Sequence, residues 1–163
     1  MRRPFAVLAL ASALSLASAL SLACRHHADA RHLGQRTDIC FIAGDSIALD
    51  IARYAPHCAA NAKIGIGSAA IVARVHPAPL VVVSAGSNDP DNPRLIRNLT
   101  EIRVRAGFSK VVWVTPVNTT AASAVAAVAQ RAGDRTVAFL PGRDRVHPQC
   151  PRCLAAAIFA PGK

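Results

Sequence analysis

Five short β-branched or apolar runs alternate with stretches of helical periodicity along this chain, and that alternation constrains the fold more than any other feature. Asp38 to Ala43 reads as a strand, after which Ile47, Ile51 and Tyr54 recur at helical spacing until Pro56 stops the helix. Asn61 to Ile64 reads as a second strand and Ser68 to Val75 as a short helix, and Leu80 to Ser84 is a continuous apolar run of the kind buried on both faces. Asn92 can cap a helix with Pro93 at its first position; Leu95, Leu99, Ile102 and Ala106 line one face, and Gly107 ends it. Lys110 to Thr115 reads as strand four, Thr120 to Ala132 as a helix closed by Gly133, Thr136 to Leu140 as strand five and Gln149 to Phe159 as the last helix. Strands separated by helices require crossover connections, which lay the helices on the sheet faces. The expectation is an α/β fold with a five-stranded parallel sheet covered on both sides.

The first 30 of the 163 residues read as an export signal and stand apart from that pattern. Arg2 and Arg3 form a basic start, Phe5 to Leu22 is an uncharged apolar run, and small residues follow. Cleavage is expected either after Ser21-Leu22-Ala23, before Cys24, or after Ala28-Asp29-Ala30, before Arg31. The first site admits a lipoprotein alternative anchored at Cys24, although Ser21 stands where such sites carry Leu or another aliphatic. The remaining residues, 31–163, suit a single domain with a single core. The protein is therefore expected in the periplasm or secreted, as a monomer.

Cysteine usage agrees with export. Cys40, Cys58, Cys150 and Cys153 are an even set for a compartment where disulfides persist. Three pairings exist in principle. Cys40 with Cys58 is favoured because they precede or begin two strands expected side by side, with Cys150 and Cys153 as a local clip or a free pair. A redox motif at a helix start is the alternative for Cys150-Pro151-Arg152-Cys153.

The formal charge of +10 becomes +8 once residues 1–30, with three Arg and one Asp, are removed. It is carried mostly by Arg scattered through the expected helices and loops, without a dense basic block and with few aromatics for base stacking. That argues against nucleic acid as a partner and leaves a solvated basic surface, with attraction to an anionic cell envelope as the alternative.

Four motifs fall at the ends of the expected strands, where open parallel sheets bind their ligands. They are Gly44-Asp45-Ser46 after strand one, a Gly-rich turn at Gly65 to Ser68 after strand two, Gly86-Ser87-Asn88-Asp89 after strand three, and Asp144-Arg145-Val146-His147 after strand five. Together they hold a hydroxyl, donors for an oxyanion, and an Asp and His able to activate the hydroxyl. Taken singly, Ser46 would read as a helix N-cap, His147 as a surface loop histidine, and Gly86 as an ordinary turn residue. Asp45 and Asp89 read as loop-ordering residues.

In order and approximate spacing these blocks resemble the SGNH or GDSL hydrolases, and the similarity runs over roughly residues 38–160. That family comprises esterases, lipases, thioesterases and carbohydrate deacetylases on a flavodoxin-like three-layer α/β/α fold. The resemblance implies Ser46 as nucleophile, His147 as base and Asp144 as the acid that orients it. It implies an oxyanion hole from the Ser46 N–H, the N–H of a second-block glycine and the Asn88 side chain. Lys63-Ile64-Gly65-Ile66-Gly67-Ser68 departs from the common pattern and offers two glycines; Gly65 is favoured and Gly67 is the alternative.

Competing chemistries find less support. His147, Cys150 and Cys153 have ligand-like spacing for zinc, but Glu101, the single Glu, has Leu99 two residues before it, so the His-x-Glu partner of zinc deaminases is missing. The glycines do not form a dinucleotide fingerprint after strand one. The expectation is an exported serine esterase without cofactor or metal, acting on a small ester or an acylated carbohydrate. Short strand-end loops leave little material for a lid, which favours short acyl groups such as acetyl on an envelope sugar. The alternative is a non-catalytic envelope protein that binds a glycan or a protein on the same fold.

Overall fold

Alternate residues of a covered strand must bury on opposite faces, and the runs at 41–44, 81–84 and 111–114 do so. In the computed structural model, which describes residues 39–160, the strands are β1 (Phe41–Gly44), β2 (Ala59–Ala62), β3 (Leu80–Ser84), β4 (Lys110–Val114) and β5 (Arg135–Val137). The helices are α1 (Ser46–Ala52), α2 (Ser68–Val72), α3 (Leu95–Arg105), α4 (Thr119–Ala132) and α5 (Pro151–Phe159). The export signal of residues 1–30, both cleavage sites and Cys24 lie outside the described residues.

The sheet is entirely parallel, in the order β2-β1-β3-β4-β5, the flavodoxin-like arrangement. Phe41, Ala43, Val81, Val83, Val111 and Trp113 point to one face, where residues of α2, α3 and α4 cover them. Ile42, Val82, Val112 and Val114 point to the other, beneath Ile47 and Ile51 of α1 and Leu154 and Ile158 of α5. The result is the expected three-layer α/β/α architecture. Trp113 is the largest fully buried side chain, and its indole N–H is satisfied by Asp134 Oδ2 at 3.0 Å. Among the described residues no helix is long and apolar enough to cross a membrane.

Several boundaries differ from the sequence reading, each for a local reason. β2 begins two residues earlier because its register is set by β1, with Phe41 opposite Ala59 and Gly44 opposite Ala62. β5 ends at Val137, and residues 138–140 leave the sheet toward the loop that follows. α3 begins at Leu95 because Asn92 is used elsewhere: its Oδ1 accepts from the Arg94 N–H and its amide donates to Asp89. α5 begins at Pro151, in the first turn, with Cys150 as the cap.

Cys40 and Cys58 form the favoured disulfide, and Cys150 and Cys153 form a local disulfide clip rather than a free pair. The first ties the entries of β1 and β2, whose backbones also meet through the Ala59 N–H and the Cys40 carbonyl at 3.1 Å.

Candidate active site

The site begins with a backbone contact that only glycine permits. At Gly44, φ is +149°, and a Cβ would stand 2.2 Å from the Ser84 carbonyl oxygen, so glycine lets the chain leave β1 hard against β3. Asp45 follows in extended conformation and caps α1, its Oδ1 accepting from the Ile47 N–H at 3.1 Å and from Ser84 Oγ at 2.8 Å. Ser46 is thereby the first residue of α1, at the edge where the order of the sheet reverses between β1 and β3. Its N–H, one of the donors a helix start leaves without an intrahelical partner, has no acceptor among the described residues.

Asp45 is fully buried. Burial pushes its carboxyl above the ordinary carboxylate range, opposed by the Ser84 hydroxyl, the backbone N–H groups of Ile47 and Ala48, and the nearby Ser87. Asp45 Oδ2 and Ser87 Oγ are buried without a formed hydrogen bond.

The chain returns to Ser46 through the loop after β5, residues 138–150, which is closed on itself. Pro141 and Pro148 form an antiparallel bridge at its base, the Gly142 N–H donates to the His147 carbonyl at 2.7 Å, and the Gln149 N–H donates to the Leu140 carbonyl at 2.8 Å. Arg145 at the tip takes a left-handed conformation, φ 60°. Inside the loop, Asp144 Oδ1 accepts from the backbone N–H groups of Val146 and His147, both at 3.0 Å. Its Oδ2 lies 2.6 Å from His147 Nδ1, and His147 Nε2 lies 2.8 Å from Ser46 Oγ.

Asp144 is more than half exposed, so hydrogen bonds rather than burial tune it. The Val146 and His147 backbone N–H groups, then the imidazole, lower its pKa to about 2. With the acid ionised, the imidazole carries its proton on Nδ1 and donates it to Asp144, which leaves Nε2 to accept from the Ser46 hydroxyl. This arrangement can draw a proton from Ser46 as the oxygen attacks an electrophile.

Asn88 is exposed at the end of β3, and one N–H of its amide donates to the Ile66 carbonyl at 3.0 Å; the amide has a second N–H to offer. Ile66 separates the two candidate glycines. Gly65 sits in an exposed turn with φ +73° and open space around it. Gly67 caps α2, and a Cβ there would meet Asp89 Oδ2 at 2.9 Å. Neither glycine's N–H is engaged among the described residues.

The close approach at Gly67 belongs to a polar network that sequence reading reduced to loop ordering by Asp89. The Asp89 carboxylate accepts from the Ser68 N–H at 3.0 Å, from Ser68 Oγ at 2.6 Å and from the Asn92 amide at 2.8 Å. Asn98, buried on the apolar face of α3, donates to Ser68 Oγ at 2.9 Å. The turn after β2 and the loop after β3 are thus fastened together, and Asn88 and both glycines are fixed with them. One signal for this network was available: Asn98 lies three residues from Leu95, on the face that Leu99 and Ile102 share.

Each cysteine pair is a disulfide, so neither offers a thiolate to a metal, and both ring nitrogens of His147 are already engaged. The zinc reading of His147, Cys150 and Cys153 is therefore at odds with the geometry. On the loop's surface lies a depression of about 670 Å³ whose lining includes Arg143, Asp144, His147 and Gln149. No family model, curated protein or solved structure matches this chain.

Proposed function

We propose that this chain is a serine hydrolase of the SGNH type, exported, and cleaving carboxylic esters through an acyl-enzyme. The observation that carries the reading is the continuous contact from Ser46 Oγ to His147 Nε2 at 2.8 Å and from Nδ1 to Asp144 at 2.6 Å. A serine hydroxyl is a poor nucleophile at neutral pH and needs a base at this distance.

In the proposed sequence, Ser46 Oγ attacks the ester carbonyl as its proton passes to His147 Nε2. The tetrahedral oxyanion is held by the Ser46 N–H, the Asn88 amide and a backbone N–H of the Gly65–Gly67 turn. Each such donor contributes roughly 3 kcal/mol to lowering the barrier. Collapse breaks the bond to the alcohol oxygen, which takes the proton from the imidazole and leaves. A water then gives a proton to His147 as it attacks the acyl carbonyl; collapse breaks the bond to Ser46 Oγ, which takes that proton back from the imidazole as the acid leaves. Every step is nucleophilic or acid–base, so the scheme asks for no cofactor. The short connections after β1, Asp45 alone, and after β2, residues 63–67, leave little material for a lid on that side of Ser46 and support small acyl groups, such as acetyl on an envelope sugar. The two disulfides are compatible with an extracellular location.

The test is hydrolysis of p-nitrophenyl acetate by the purified protein beside Ser46→Ala and His147→Ala. Loss of kcat by about three orders of magnitude or more in both variants is expected. Equal background in all three would favour a non-catalytic binding protein on this fold. A clear preference for p-nitrophenyl palmitate over the acetate would overturn the short-acyl assignment.

A further inference from the structure

The proposed chemistry dictates where the alcohol half of an ester must lie. His147 has to hand a proton to the departing alcohol oxygen, so that moiety extends across the imidazole and onto the loop that carries it. His147 also lines the depression of about 670 Å³, whose lining does not include Ser46, and the arginine beside it there is Arg143. The lining carboxylate, Asp144, is committed to two backbone N–H groups and to the imidazole. Among the described residues, no carboxylate pairs with Arg143 or with Arg145. The loop that bears Arg143 is pinned by the Pro141–Pro148 bridge and by the bond from the Gly142 N–H to the His147 carbonyl. A guanidinium on such a base presents paired donors suited to a carboxylate or phosphate.

Resting on the hydrolase reading above, we propose that this loop selects esters whose alcohol moiety carries an anionic group, with Arg143 as the specificity-determining residue. The anion is a carboxylate or a phosphate on the leaving alcohol, placed beyond His147. Arg145 has the same charge two residues away but does not line the depression, so it separates a local contact from the general basic field of the protein.

The experiment compares kcat/KM for phenyl acetate, 4-acetoxybenzoate and 4-acetoxyphenyl phosphate, each normalised to its hydroxide-catalysed rate. The intact protein is measured beside Arg143→Gln, Arg143→Lys and Arg145→Gln. The intact protein should prefer one or both anionic esters, and the arm preferred tells carboxylate from phosphate. In Arg143→Gln that preference should fall about three- to tenfold through KM, with phenyl acetate within twofold of its original value. Arg143→Lys should recover most of it, and Arg145→Gln should lose less than Arg143→Gln. Hydrolysis of phenyl acetate without discrimination, or an equal loss on all three esters in Arg143→Gln, overturns this inference alone. Hydrolysis of none of the three above the Ser46→Ala background overturns the hydrolase reading and this inference with it.

Discussion

Two aspartates beside Ser46 are tuned in opposite directions by different causes. Backbone N–H groups hold Asp144 at about 2 although it is exposed, so it is ionised across any pH at which an esterase is assayed. Its contribution to stability is complete above the ordinary carboxylate range and is lost only as pH falls through about 2. Asp144→Asn therefore tests the hydrogen bond to the imidazole rather than the titration of a carboxyl within the assay range. The same variant removes the acceptor for Nδ1–H, and kcat/KM should fall by about 10²-fold or more; undiminished activity would remove Asp144 from the mechanism. Asp45 runs the other way. Burial raises its pKa, so the native state binds a proton more tightly than the unfolded chain, and stability is lost as pH rises through the folded value. Asp45→Asn keeps the cap on α1 and the acceptor for Ser84. Its stability in urea should therefore lack that decline as pH rises above the ordinary carboxylate range, and an unchanged decline would assign the pH dependence to another group. Asp45→Ala forfeits both contacts and should cost about 1–3 kcal/mol.

At the scale of elements, the loop between β5 and α5 carries Asp144 and His147, the proposed acid and base, and the Cys150–Cys153 disulfide closes directly after it. Cys150 also caps α5, its sulfur accepting from the Cys153 N–H at 3.1 Å, so the clip fixes where the helix starts and the loop ends. Replacing both cysteines by serine should lower kcat about tenfold or more by loosening the approach of His147 to Ser46, with a smaller effect on KM. Unchanged kcat would mean that the Pro141–Pro148 bridge holds the loop unaided. The sequence made this loop visible as Asp144 and His147 three residues apart, but its closure depends on main-chain pairing of 141 with 148, for which no residue type is diagnostic. Strand and helix order was legible because Leu80 to Ser84 and the spacing of Leu95, Leu99 and Ile102 are strong local signals. The bounds of β2 were not, since Ala59 to Ala62 has weak strand preference and is a strand by virtue of its register with β1. Ser84 was read only as the end of a strand, because its role as donor to Asp45, 39 residues away, is a tertiary contact.

For the whole molecule, the two disulfides sit at opposite ends of the sheet and should do separable work. Cys150–Cys153 lies beside the loop at the carboxyl ends of the strands. Cys40–Cys58 joins the amino ends of β1 and β2 and closes a span of 18 residues containing β1 and α1. That span carries Ser46, yet the crosslink is on the far side of β1 from it, so its chief effect is to restrict the unfolded chain. Loop-closure entropy for this length is worth about 3 kcal/mol, which for a domain of this size lowers Tm by about 10 °C. The double variant Cys40→Ala with Cys58→Ala should therefore melt at a lower temperature while keeping kcat and KM at 25 °C. The two alanines also leave the buried Cys40 position underfilled, which adds to the loss and does not reverse its sign. A double variant with unaltered Tm would place the stabilisation in the native packing of β1 against β2 and β3. Loss of kcat in step with stability would instead show that the turn at Gly44 to Ser46 depends on tension carried along β1, and the separation of a stabilising end from a reactive end would fail.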